Sequence, residues 1–216
     1  MKAYRIPSFL LVLQAALLWG ATSASGQSIG VGAGLAMAND KIAQVTADLA
    51  SRGWSAAAEN AGNGYYVELR GRFGGQLALI GSVGYSSFGR THSQYFDGSS
   101  RSVDLVTSQT IIPVTIGADM RLSEGFLVPY LTLEASYNHY YRAFERSVGD
   151  LSVPFDIQSE GDARFGAAVG AGLALDLKIA ELDIGGRLHL PNLINAEPSE
   201  SEVYYLQLGA TLYVRL

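Results

Sequence analysis

The sequence of 216 residues contains no cysteine, and its 15 basic residues include three lysines and twelve arginines. The absence of cysteine excludes disulfide bridges, zinc–thiolate sites, cysteine nucleophiles and lipid attachment through an N-terminal cysteine. Charged residues make up 16% of the chain, whereas a soluble domain usually carries about 25%. The net charge of −5 provides no basic face, so we predict no nucleic-acid partner.

The first 26 residues have the pattern of a secretory signal peptide. Lys2 and Arg5 precede an apolar run from Phe9 to Trp19, and Ala24 and Gly26 are small residues at positions −3 and −1 of a cleavage site before Gln27. The alternative is a transmembrane helix, but the apolar run is about half of the ~20 residues that a span needs. We therefore predict a signal peptide at 1–26 and a single domain at 27–216.

Hydrophobic residues alternate with period two along the rest of the chain, which predicts β-strands. Most of these segments are ten residues or longer, while strands of soluble proteins average five to six. Short connections of two or three residues alternate with long ones of about 12 to 25 residues, as in membrane barrels. The eight predicted strands are Ser28–Ala38, Gly64–Phe73, Gln76–Arg90, Val103–Leu122, Leu127–Tyr140, Ala163–Leu177, Glu181–Leu190 and Val203–Leu216.

The two faces of these strands differ in charge. One face carries residues such as Val31, Leu69 and Leu133 and contains no charged side chain. A charge-free face is expected where a barrel contacts lipid, because a mid-plane Arg or Lys costs ~2–4 kcal/mol. The opposite face is polar, and we predict that acids and arginines pair there in the interior: Glu68, Arg70, Arg72, Asp119, Arg121, Glu134, Asp176, Asp183, Arg187 and Arg215.

Aromatic residues recur at one level of the apolar face, near the long connections. Such residues form girdles at membrane–water interfaces, since the ring lies in the apolar layer and a polar group reaches water. The predicted girdle is Tyr65, Tyr85, Tyr137, Phe165 and Tyr204.

The chain resembles the outer membrane protein beta-barrel domain family, the eight-stranded OmpA/OmpX-like group. The resemblance rests on Ile112–Thr115, Val128–Tyr130, the glycine-alternating run Phe165–Gly172 and the alternating C-terminal strand. It implies an all-β, eight-stranded antiparallel up-and-down transmembrane barrel with short periplasmic turns and long extracellular loops. Members commonly end in Phe, part of a C-terminal assembly signal, whereas this chain ends in Leu216.

Catalytic and cofactor motifs are weak. The run Gly30–Leu35 lacks the third glycine of a dinucleotide loop and no helix follows it, and no two histidines have zinc-binding spacing. Candidates for a rim enzyme are His92, Asp97, Ser99 and His139, but their spacing is not diagnostic. We therefore predict no catalytic residue, no metal and no cofactor.

Two loop segments carry features of their own. Ile42, Val45 and Leu49 repeat at helical spacing within Lys41–Ala50, which predicts a short amphipathic helix or, alternatively, a mobile loop. The fifth predicted strand continues into a segment rich in residue types that recur at recognition sites. A strand that extends above the membrane is the alternative; the candidate recognition residues are Tyr140, Tyr141, Arg142, Phe144 and Arg146.

The sequence thus predicts a non-enzymatic integral protein of the bacterial outer membrane with a structural or surface-interaction role. Because eight strands leave room only for side chains, we expect a plugged interior. The alternatives are a narrow pore or conduit for small hydrophobic molecules, a rim enzyme, and a soluble periplasmic barrel. Expected partners are outer-membrane lipid, lipopolysaccharide and, during biogenesis, the barrel-assembly machinery.

Overall fold

The computed structural model describes residues 26–39, 55–58, 62–96, 102–147, 162–194 and 203–216. The predicted signal peptide up to residue 25 and the predicted helix Lys41–Ala50 lie outside these ranges. The described strands are β1 Gln27–Ala38, β2 Ser55–Ala58, β3 Gly62–Gly74, β4 Leu77–Phe96, β5 Ser102–Arg121, β6 Leu127–Ser147, β7 Asp162–Asp176, β8 Ala180–Ile194 and β9 Tyr205–Arg215.

Eight of these strands form a closed antiparallel barrel. Each barrel strand pairs with the barrel strands that precede and follow it in the chain. Strand β1 closes the sheet, because it pairs with both β3 and β9. At this closure Val31 lies opposite Leu69 on one side and Leu212 on the other. The short strand β2 is not part of the barrel wall and pairs with the far end of β4. The eight predicted strands and the all-β barrel class are thereby confirmed.

Tight turns connect the strands at one end of the barrel. Gly74 and Gly125 have φ angles of 128° and 127°, a region that glycine occupies without a steric penalty. The third turn has Lys178 at φ 71°, and its amide donates a 2.8 Å hydrogen bond to Asp176 Oδ1. These turns leave the strand ends close together, so the tight-turn end of the barrel is compact.

The connection between β4 and β5 differs from the prediction of a long loop. Strand β4 continues to Phe96 and strand β5 begins at Ser102, with Tyr95 opposite Val103. The connection therefore consists of residues 97–101 alone. Strand β6 likewise continues to Ser147 and pairs with β5 along the extension. The extensions of β4 and β6 lack regular apolar–polar alternation, so periodicity underestimated the length of these two strands, whereas the predicted start of β5 at Val103 differs from the observed one by a single residue.

Burial alternates along the strands as the sequence predicted. Val31 and Leu133 on the outward face are 66% and 65% exposed, whereas Arg70 and Glu134 on the inward face are 4% and 1% exposed. The apolar face thus points away from the barrel axis and the charged face towards it. Within the described ranges, no helix has the length and apolar character required to cross a membrane.

Candidate functional site: the barrel interior

Interlocked ion pairs occupy the middle of the barrel. Arg70 on β3 contacts Glu134 on β6 at 2.7 Å, and Arg187 on β8 contacts Glu68 on β3 at 2.6 Å. Arg187 also lies 3.6 Å from Glu134, which joins the two pairs across the lumen. The Thr211 hydroxyl donates a hydrogen bond of 3.2 Å to Glu68. Four strands that are distant in sequence are therefore tied together through charge-assisted contacts.

Arg72 forms a second centre, closer to the tight-turn end. Its guanidinium contacts Asp119 at 2.9 Å and Asp183 at 2.6 Å, and it also bonds to Glu181. The same group lies over the Tyr213 ring, 4.3 Å from its centroid. The planar fork of arginine allows one side chain to serve several carboxylates, which a lysine ammonium does less well.

The network continues to the surface at the tight-turn end. Arg121 donates to Glu181 Oε2 at 2.6 Å, and Arg215 contacts Asp176 at 2.8 Å. The Arg215 and Asp176 side chains are 40% and 35% exposed, so water screens this last pair. Ionic contacts therefore run from the barrel centre to one mouth.

Interior tyrosines fit because glycines lie opposite them. A Cβ on Gly209 would lie 2.5 Å from the Tyr66 hydroxyl, and one on Gly172 would lie 2.6 Å from the Tyr130 hydroxyl. An arginine lies over Gly170 in the same way, where a Cβ would lie 2.5 Å from Arg187 Cγ.

Apart from the buried Arg164 near the start of β7, the described side chains at the other end of the interior are uncharged. His189 stacks on Tyr205 with ring centroids 4.6 Å apart, and its Nε2 lies 3.0 Å from Gln207 Oε1. Tyr205 also belongs to an apolar cluster at this end, which we call the apolar cap. The apolar cap consists of Ala36, Tyr66, Phe88, Ile111, Tyr140, Val203 and Tyr205.

Two cavities of different size interrupt this packing. The first, of about 20 Å³, lies among the central ion pairs and includes Arg70, Asp119 and Asp183 in its lining; this volume suits about one water molecule. The second, of about 400 Å³, is a vestibule at the tight-turn mouth that Arg72 and Arg121 help to line. Arg72 contacts residues of both linings, so its guanidinium lies between the vestibule and the central cavity.

The structure brings the sequence-predicted charges together. Each of these side chains makes at least one ion pair on the inward side or at the tight-turn mouth; they are Glu68, Arg70, Arg72, Asp119, Arg121, Glu134, Asp176, Asp183, Arg187 and Arg215. Asp119 and Glu134 share Arg70.

The predicted girdle residues lie on the outward face. Tyr65 and Tyr85 have ring centroids 6.4 Å apart, and Tyr137 and Phe165 are in edge contact at 5.3 Å. Tyr204 is 49% exposed.

One candidate recognition residue is misplaced by the sequence argument. Tyr140 is 3% exposed and belongs to the apolar cap, because it shares the inward parity of Asn138 on β6. Tyr141 points outward and contacts the His139 ring at 4.6 Å. The side chains of Arg142, Phe144 and Arg146 lie outside the described residues.

Sequence reasoning did not identify the apolar cap or the stacked pair of His189 and Tyr205. The available signal was parity: Tyr205 shares the face of Gln207 and Tyr213, which the sequence already placed inside. Alternation of charge along a strand does not reveal aromatic rings that are buried inside the barrel.

The described side chains test the metal and rim-enzyme candidates only in part. Among the residues whose side chains are described, no group of three or more His, Asp or Glu residues is placed to hold a metal ion. The side chains of His92, Asp97 and Ser99 lie outside the described set, and His139 is on the outward face beside Tyr141.

Comparison with solved structures identifies the fold. Neisserial surface protein A (NspA) superposes with a TM-score of 0.55 and 16% identity, over 90% of this chain and 99% of that chain. Ail of Yersinia pestis is 18% identical over 87% of this chain and 97% of that chain, with a TM-score of 0.44. OprG of Pseudomonas aeruginosa is 10% identical over 90% and 99%, with a TM-score of 0.49. The similarity to NspA shows that the chain has the fold of an eight-stranded outer-membrane barrel.

No protein-family model matches the sequence, and no curated protein matches it either.

Removing the central guanidinium should destabilise the barrel strongly. Arg70→Leu leaves the carboxylates of Glu134 and Asp119 with less compensation in a buried site, and breaking such a pair costs roughly 3–5 kcal/mol. The measurement is urea unfolding of protein refolded in lipid, followed by the gel-mobility difference between folded and unfolded forms.

Arg215→Leu is the matched control, because its ion pair with Asp176 is solvent-screened and should contribute less than about 1 kcal/mol. Equal effects of the two variants would contradict the importance of the central pairs.

Proposed function

We propose that this chain is an integral, non-enzymatic protein of the bacterial outer membrane, closed by its own side chains, with a structural or surface-interaction role. The observation that carries the proposal is the inverted polarity of the barrel. Charged side chains pair inside while large apolar side chains face outward, the reverse of a soluble ligand-binding barrel. The NspA-like fold supports the same assignment.

Lipid is the medium that suits this outward face. Leu69, Leu133 and Val169 are each at least half exposed, and water around such a surface would be unfavourable by ~25 cal/mol per Å² of apolar area. A closed barrel also leaves no unpaired sheet edge, which a bilayer demands.

The aromatic girdle marks one boundary of the lipid layer. Tyr65 and Tyr85 on β3 and β4, and Tyr137 and Phe165 on β6 and β7, lie on the outward face near the strand extensions. At this level they would contact lipopolysaccharide, which we propose as the neighbouring lipid on that side.

The interior supports a plug rather than a pore. The central cavity of about 20 Å³ is too small for a hydrated ion or a hydrophobic ligand. On the far side of it from the vestibule, Phe88 and Tyr205 are in edge contact at 5.3 Å within the apolar cap. An ion would have to displace both the ion pairs and this cap.

The strand extensions support an exposed role. Beyond the aromatic girdle, β4 continues to Phe96, β5 starts at Ser102, and β6 continues to Ser147. Strand β2 pairs with the tip of β4. We propose that this four-stranded extension lies outside the cell and carries surface contacts. The tight turns would then face the periplasm, and the alternating β9 would be the segment that the barrel-assembly machinery binds, with Leu216 at its end.

A charge on the outward face at mid-height should be far more harmful than one at a turn. Leu133→Arg should lower the free energy of unfolding in lipid by about 2–4 kcal/mol, whereas Ile179→Arg at a turn should cost about 0–1 kcal/mol. Both residues are highly exposed, so differences in packing are small. The measurement is urea unfolding in lipid vesicles; equal costs would contradict a lipid-facing surface.

A plugged barrel should not conduct ions. Protein reconstituted into planar bilayers is expected to give no discrete current steps, while the same preparation shifts on a gel between unheated and boiled samples, which shows that it is folded. Current steps that scale with the amount of folded protein would instead favour the narrow pore.

Labelling of single cysteines tests the orientation, since the natural chain has none. Ser99→Cys, in the connection between β4 and β5, should react with a membrane-impermeant maleimide on intact cells. Ser123→Cys, at the opposite end, should react only after the outer membrane is permeabilised. The reverse pattern would place the extension in the periplasm.

A further inference from the structure

The buried ion-pair network does not balance in charge. Among the described residues, its buried part contains one more carboxylate than guanidinium groups; the solvent-screened pair Arg215–Asp176 is balanced and does not change the difference. The four guanidiniums are those of Arg70, Arg72, Arg187 and the partly buried Arg121, and the five carboxylates are Glu68, Asp119, Glu134, Glu181 and Asp183. Arg164 is also buried, but it lies near the start of β7, towards the opposite end of the barrel.

A buried negative charge without compensation is unfavourable, so a proton or a bound cation that neutralises one carboxylate would stabilise this network. The contacts of the individual carboxylates decide which group is least compensated.

Asp183 has the fewest cationic contacts. Glu134 lies within 4 Å of both Arg70 and Arg187, and Asp119 lies within 4 Å of both Arg70 and Arg72. Glu68 and Glu181 also contact at least two guanidiniums each. Within the described residues Asp183 pairs with Arg72 alone, at 2.6 Å.

Asp183 also has an oxygen without a partner. Its side chain is 4% exposed, and Oδ1 receives no hydrogen bond from the described residues. The side chain lines the cavity of about 20 Å³. An ionised carboxylate oxygen in this position has no donor among the described side chains, which is unfavourable in a buried site; Asp119 Oδ1 and Glu134 Oε2 share this lack, but their carboxylates contact two guanidiniums each.

The neighbour of Asp183 is a second carboxyl group. Glu181, two residues earlier on the inward face of β8, bonds to the same Arg72 guanidinium as Asp183. A carboxylic acid donates a hydrogen bond to a neighbouring carboxylate, whereas two ionised carboxylates have no proton to share.

Groups on every surrounding strand bear on this pair. They are Arg70 and Arg72 on β3, Asp119 and Arg121 on β5, Tyr130 and Glu134 on β6, Asp176 on β7, Arg187 on β8, and Tyr213 and Arg215 on β9. Arg121 and Arg215 approach Glu181 rather than Asp183, so they favour ionised Glu181.

We propose that Glu181 and Asp183 form a proton-binding site, in which neutral Asp183 donates a hydrogen bond to ionised Glu181 at neutral pH. The bound proton balances the interior charge. The site lies where Arg72 separates the vestibule from the central cavity, so the proton exchanges with solvent through the tight-turn mouth. Because the folded barrel then holds a proton that the unfolded chain releases, its stability falls as the pH rises.

Infrared spectroscopy of the folded protein in lipid tests the proposal. At neutral pH the wild-type barrel should show the carbonyl stretch of one protonated carboxylic acid, shifted by exchange into D2O. Asp183→Asn should abolish this band while it preserves folding, because an amide resembles a neutral carboxyl in shape. The matched control Asp176→Asn, at the screened edge, should retain the band.

Each outcome decides the question. Absence of the band from the wild-type protein, its persistence in Asp183→Asn, or failure of that variant to fold would overturn the proposal. A thermal midpoint that rises with sodium or potassium concentration, without a protonated-carboxyl band, would assign the neutralising charge to a cation instead. In support, Asp183→Asn should unfold at the wild-type temperature or above at neutral pH and lose the decline in stability towards alkaline pH.

Discussion

The pairing of arginine with carboxylates inside a narrow barrel is the interaction on which the rest of this structure depends. Among the described side chains of the barrel strands, the outward face carries no charge, so the ionic groups of the lipid-level strands are accommodated within the lumen. Arg70 and Arg72 each bind carboxylates from different strands, which ties β3 to β5, β6 and β8. Loss of one such group leaves charges without partners in a medium that solvates them poorly.

Space inside the barrel imposes the second constraint. Eight strands enclose a lumen that side chains can fill, and the large interior residues fit because glycine lies opposite them, as Gly172 does under Tyr130. The same glycines give the strands their small-residue alternation in the sequence. Filling is uneven along the axis, with an aromatic apolar cap at one end, ion pairs in the middle and a polar vestibule at the other. A barrel with a closed centre, an apolar end and a polar end suits a protein that contacts other molecules at its rims.

Alternation in the sequence predicted the eight strands, the turns and the direction of each face, because a strand turns every second side chain to the same side. It predicted the interior position of Glu68 and Arg187 for the same reason. The composition of its segment, rather than its parity, suggested Tyr140 as a surface recognition residue. The structure places it inward at 3% exposure. Alternation also ended β4 and β6 too early, at Arg90 and Tyr140, since their extensions lack a regular apolar face to reveal them.

The sequence by itself determined the class of the fold and which side chains face inward, since both follow from a local period of two. Only the tertiary structure decided which acid meets which arginine, because partners such as Arg72 and Asp183 are more than one hundred residues apart and meet through barrel closure. The register of eight strands also placed His189 on Tyr205 and left Asp183 with a single guanidinium. These are properties of distances across the lumen, and no local pattern in the chain encodes them.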